Sequence, residues 1–236
     1  MNYNMQFNKF LIVKVSLIFL IFFSFFLGFN LRENAVGGGP DFYNFTWPVV
    51  QSFKEDFVYT IKNYGTFGEG SYPLFHIINA YLNPFSNHDL SFQLSITIIS
   101  FLVFFIFGLT LKKKFPNTNF IDLLLLSSII LLMPFFRTSA FWGQTENFGW
   151  LFLILAIYFF LEIKQSLFDV NEKKNIFHIF LFCLFSAAAL YTRQFLVFLP
   201  ISYLLYFTLF DNNKRAVIIS LIFFVFLSIP GILLLI

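Results

Sequence analysis

The sequence predicts an all-α polytopic membrane protein of about seven transmembrane helices, and three observations predict it. Of 236 residues, 58% are hydrophobic and only 11% are charged. A soluble domain carries about 25% charged residues, so these few cannot cover a water-facing surface. The apolar residues fall in runs of the length a hydrocarbon core demands, roughly 20 residues per helix. Most of the charges collect at the ends of those runs rather than inside them.

The runs lie at about 10–29, 92–111, 119–136, 146–162, 175–192, 195–210 and 216–236. The first has an alternative reading as the core of a signal peptide. Its apolar stretch from Phe10 to Phe29 exceeds the roughly 7–15 residues of such a core, and no small-residue cleavage pattern follows. A retained anchor is the expectation. Cys183 sits inside the fifth run; one cysteine supports neither an internal disulfide nor a thiolate metal cluster.

Lysine and arginine placement sets the expected orientation. With the N-terminus in the cytoplasm, the inner segments hold Lys9, Lys14, Lys112, Lys113, Lys114, Lys164, Lys173, Lys174, Lys214 and Arg215. The outer ones hold Arg32, Lys54, Lys62, Arg137 and Arg193, ten against five. The outer side then has one long loop, 30–91, and two very short ones. The long loop opens on Gly37-Gly38-Gly39-Pro40 and Asp41. Helical spacing of Phe45, Val49, Phe53, Phe57 and Ile61 predicts a helix over about 44–62, and Tyr72 to Leu82 a second, with Pro73 in its first turn. Both are too short or too polar to span, and they are expected to lie along the membrane surface.

Charges near membrane depth are costly, so each calls for a partner or a function. Asp41 follows a glycine-rich turn, where a carboxylate can serve as a general base or as a helix N-cap. Arg137 and Arg193 oppose the inner-side bias, and a guanidinium fork suits phosphate oxygens; lipid headgroups or Glu146 are the alternative partners. Glu146 is a candidate to hold one of these arginines, a substrate hydroxyl or a divalent metal. His76 and His88 lack convincing ligand spacing. No Walker loop, G-x-G-x-x-G or G-x-S-x-G is present, so a nucleotide-driven pump and a serine hydrolase lack support.

Several stretches, in this order, resemble the polytopic GT-C glycosyltransferases, which include protein mannosyltransferases and the lipid A aminoarabinose transferase. Asp41 occupies the place of the family's acidic catalytic residue after the first span. Tyr72-Pro73-Leu74-Phe75 resembles its Y-P-P-L-Y segment, with one proline fewer. Met133-Pro134-Phe135-Phe136-Arg137 through Glu146 resembles its proline, arginine, then acidic residue before an apolar helix. Ala187 to Gln194 resembles its G-L-A-x-L-T-[KR]-x span end. The first-loop motif is Asp41-Phe42 rather than an acidic pair. Members carry more spans and a C-terminal outer domain, so a truncated module over 1–236 is expected.

The resemblance implies inverting transfer of a sugar from a polyprenyl-phosphate donor to a glycan, lipid or protein acceptor, at the outer face of a bacterial inner membrane. It makes Asp41 the catalytic base and Arg193 and Arg137 the donor phosphate-binding residues. Glu146, Gln194 and Tyr72 would position substrate. No metal or other cofactor is indicated. A lipid-linked oligosaccharide flippase would need polar residues at mid-depth along several spans. An O-antigen polymerase or ligase would place its large outer loop late in the chain.

Overall fold

A computed structural model describes residues 2–35, 37–68, 72–166, 172–210 and 214–233, and side chains within these except 2–9, 164–166, 172–174 and 231–233. Lys9, Lys164, Lys173 and Lys174 therefore lie outside the described side chains. The protein is helical, with no strand among the described residues.

The chain opens with α1 (Asn2–Asn30). The first loop then folds as α2 (Gly38–Asp41), a π-helical segment Phe42–Thr46, α3 (Trp47–Glu55), α4 (Phe57–Lys62), a 3-10 turn Tyr64–Phe67 and α5 (Leu74–Tyr81). After it come α6 (Asp89–Lys114), α7 (Phe120–Ser128) with a 3-10 turn Ile129–Leu132, and α8 (Pro134–Phe141). The remainder is α9 (Glu146–Ser166), α10 (Glu172–Thr192), a 3-10 turn Gln194–Val197, α11 (Phe198–Leu209) and α12 (Lys214–Leu233).

Among the described residues, four helical stretches are long and apolar enough to cross a membrane: Phe10–Asn30, Asp89–Lys114, Glu146–Ile163 and Asn175–Thr192. The pair Phe120–Leu132 and Pro134–Phe141, bent by 71°, makes a fifth if the two are counted as one span. Each of the seven apolar runs in the sequence is mainly helical over its described residues, but the third is not one straight rod to residue 136. Met133 is extended (φ −70°, ψ 121°) because it precedes Pro134, whose ring disfavours helical geometry one residue upstream. Arg137 therefore rides on a separate short helix.

The first loop also differs from the continuous 44–62 stripe. Asp56 is extended (φ −148°, ψ 104°) and its side chain accepts from the Tyr59 amide, so the stripe stops and restarts there. Val49 and Phe53 are buried while Phe45 and Phe57 are exposed. The buried ones join Val50, Phe42, Phe75, Phe92 and Phe148 in a core that seats the loop on α6 and α9.

Helix α9 packs between α6 and α10, α10 packs on α12, and α1 packs on α7. Outward faces are large and apolar, as at Phe19, Leu20, Ile98, Leu102, Leu205 and Phe226. The contact between α6, α8 and α9 combines large apolar side chains, such as Phe104, Phe141 and Ile154, with small and polar ones. Thr97 Oγ1 donates to the Ala140 carbonyl (2.9 Å), and Asn147 Nδ2 to Ser100 Oγ (2.9 Å). In lipid the apolar effect gives no drive between helices, so small residues and interhelical hydrogen bonds hold them. Lys14–Asp122 (2.5 Å) and Lys113–Glu162 (2.7 Å) tie the bundle at the end away from the long loop.

Candidate active site at the loop end of the bundle

The segment after α1 is threaded tightly against the α8–α9 turn. Asn34 Oδ1 accepts from the Gly38 amide (2.7 Å), and the Gly38 carbonyl accepts from Gln144 Nε2 (3.1 Å). A Cβ at Gly38 would lie 2.6 Å from Thr138 Cγ2, so only glycine permits this approach. Gly37 turns the chain at φ +77°. The glycine run thus delivers Asp41 beside residues 144–146.

Asp41 closes α2 and leads into the π-helical segment; π-turns recur at functional sites because they re-aim side chains. Its backbone is helical and its side chain makes no capping bond. The residue is exposed, and its carboxylate has no hydrogen-bond or ion-pair partner among the described residues. The capping alternative is not what the structure shows.

Asp41 lines a polar cavity of about 200 Å³ together with Thr46, Gln144, Thr145, Glu146 and Arg193. Glu146 begins α9, and Arg193 is an extended residue (φ −143°, ψ 114°) just beyond α10. The two side chains form an ion pair, with 12% of Glu146 and 23% of Arg193 still exposed. Ser139 Oγ donates to the second Glu146 oxygen (3.1 Å). Arg193 is therefore oriented by Glu146 while facing the same cavity as Asp41. A carboxylate opposite an anchored guanidinium can take a proton on one side and hold an anion on the other.

Three residues nominated by the sequence stand elsewhere. Arg137 is only 6% exposed and does not line the cavity. Its Nε donates to both Glu33 oxygens (3.0 and 3.1 Å), and its Nη2 to Glu33 Oε2 (2.6 Å) and the Ser24 carbonyl (2.9 Å). Its Nη1 donates to the Leu131 carbonyl (3.2 Å) and Ser24 Oγ (3.4 Å). With every nitrogen engaged, Arg137 fastens the end of α1 to α8. Gln194 is exposed and opens the next 3-10 turn. Tyr72 packs edge-on against Tyr191, ring centroids 5.7 Å apart.

That Tyr72–Tyr191 contact borders a second, apolar cavity of about 460 Å³, lined by Pro73, Ile77, Phe152, Ala188, Tyr191 and Leu227 among others. Tyr191, which lines this apolar cavity, lies two residues before Arg193, which lines the polar one. No cluster of three or more His, Cys, Asp or Glu forms among the described residues. His76 is buried with its Nδ1 3.0 Å from the Tyr64 hydroxyl.

The sequence reading missed Glu33, the partner of Arg137, and the cavity residues Thr46, Gln144 and Thr145. Glu33 carried one available signal, being an acid beside the first span with no assigned partner. Comparison with protein families, curated proteins and solved structures found no match to this chain.

Proposed function

We propose that this chain is a membrane glycosyltransferase, moving a sugar from a polyprenyl-phosphate donor to an acceptor on the extracytoplasmic face. The observation that carries the reading is the shared cavity: an unpartnered Asp41 carboxylate and an Arg193 guanidinium anchored by Glu146. The apolar cavity bordered by Tyr191, suited to an isoprenoid tail, and the sequence resemblance to the GT-C class support it. In this reading all seven apolar helices cross the bilayer, the lysine-rich end is cytoplasmic, and α3 to α5 lie along the outer surface.

The step balances without a further reactant. Asp41 takes the proton of an acceptor hydroxyl as its oxygen attacks the anomeric carbon. The carbon–oxygen bond to the lipid phosphate breaks, and Arg193 meets the charge that develops on the departing phosphate. Glu146 holds the guanidinium in place, and inversion at the anomeric carbon follows from the single displacement.

The test separates binding from turnover. Asp41→Asn is expected to retain donor binding and lose transfer, whereas Arg193→Gln is expected to weaken donor binding itself. Equal transfer by Asp41→Asn and the unmodified protein removes Asp41 from the base role.

A further inference from the structure

The polar cavity that holds Asp41 is richer in acceptors than in donors. Asp41 and Glu146 bring carboxylates, and Arg193 is the one charged donor among its described lining residues. The hydroxyls of Thr46 and Thr145 can play either part. Gln144 completes the polar wall. An amide has a donating branch and an accepting branch, so its orientation decides what it can bind.

The Gly38 carbonyl fixes that orientation. It lies 3.1 Å from the Gln144 amide nitrogen, and a carbonyl only accepts, so the nitrogen has to be the branch that faces it. Gly38 is itself buried, and its N–H donates to Asn34 Oδ1 (2.7 Å). Gln144 Oε1, the other branch, accepts from no group among the described residues, yet it is not a buried atom. An acceptor tethered through its own nitrogen thus belongs to the same wall as Asp41 and Arg193. A side chain held in place before binding loses little freedom when a ligand arrives.

We propose that Gln144 is a specificity-determining residue, whose Oε1 accepts a hydrogen bond from one ring hydroxyl of the transferred sugar. The inference rests on the sugar-transfer function and names what that site recognises. With the donor phosphate on Arg193 and the attacking hydroxyl at Asp41, the sugar ring lies between them and meets Gln144. Its hydroxyls supply the donors that Oε1 lacks, whereas an acidic substituent there would set oxygen against oxygen. A site built to bond a substrate hydroxyl discriminates against the analogue without it, because the protein atom is then left unpaired.

The experiment measures kcat/KM for transfer by the full chain in proteoliposomes, from polyprenyl-phosphate glucose, mannose and galactose. The hexose transferred fastest is then remade with one ring hydroxyl at a time replaced by hydrogen. A neutral hydrogen bond is worth roughly fivefold to tenfold, so removing the matched hydroxyl should cost the unmodified chain about that factor. Gln144→Met and Gln144→Glu both lose the bond to Gly38, but only methionine loses the acceptor. The cost at that hydroxyl should therefore vanish in Gln144→Met and persist in Gln144→Glu. Comparing chains cancels any effect of deoxygenation on the reactivity of the sugar itself. A cost unchanged in Gln144→Met, or lost alike in both variants, makes Gln144 a strut for Gly38 and overturns the proposal. So does an unmodified chain indifferent to every deoxygenation, a result that needs no variant to fold. No transfer of any hexose by the unmodified chain would overturn the sugar-transfer function itself, and this inference with it.

Discussion

Replacing Arg137 with methionine tests whether this arginine is a fastener or a substrate ligand. The guanidinium is 6% exposed and pairs with Glu33 across 104 positions of sequence. Removing one partner of a buried pair costs about 3–5 kcal/mol because a charge is left uncompensated. Glu33 keeps 36% of its side chain exposed, so water recovers part of that loss, and about 3 kcal/mol is expected. For a chain of this size, about 2–4 °C of melting temperature follows each kcal/mol, giving a fall of about 6–12 °C. The assay is thermal unfolding in detergent followed by tryptophan fluorescence. Adding Glu33→Gln to Arg137→Met should cost nothing further, since the orphaned charge is gone. An Arg137→Met protein that melts like the unmodified one but no longer binds donor would refute the fastener role and return Arg137 to the phosphate.

Gly28→Ala should reproduce the Arg137→Met destabilisation, since its Cβ would fall 2.3 Å from Arg137 Nη2 and 2.5 Å from Glu33 Oε2; the two changes together should melt no lower than the worse one. Asn147→Ala removes the bonds to Ser100 Oγ and the Phe136 carbonyl and is expected to cost about 1–2 kcal/mol, read from the same melting curve. The Tyr43 phenol is held above its ordinary pKa by burial first and by the Asp89 carboxylate second. Asp89→Asn should therefore lower its midpoint part of the way in an ultraviolet titration. A raised phenol stabilises the fold fully below its unfolded pKa, and that contribution is lost as pH rises through the folded value. Asp41→Asn should slow transfer by about 10²–10⁴-fold, the usual worth of a positioned base, with no change in melting temperature.

The helices were legible because an apolar run of bilayer length leaves few alternatives: Asp89–Lys114 and Glu146–Ser166 contain the stretches expected at 92–111 and 146–162. Breaks were legible only in hindsight. Pro134 fell inside the expected third span, yet its effect on Met133 ends the helix there. Asp56 sat within a hydrophobic stripe that reads as continuous until its side chain caps the next turn. The site was partly legible, since the glycine run, Asp41, Glu146 and Arg193 stood out as polar residues at span ends. Arg137 stood out by the same rule, and nothing local marks that Glu33, not a ligand, satisfies it. Such pairings depend on which loops return to which helix, and hydrophobic periodicity is silent on that. The buried Thr97, Ser100 and Asn147 were hidden too, because isolated polar residues barely alter an apolar run.

The most direct measurement follows labelled sugar from a synthetic polyprenyl-phosphate donor in proteoliposomes bearing either the unmodified chain or Asp41→Asn. Label should leave the donor and appear on an acceptor with the unmodified chain, and stay on the donor with the variant. Label moving equally in both, or in neither while donor binds at Arg193, would contradict a catalytic carboxylate at position 41.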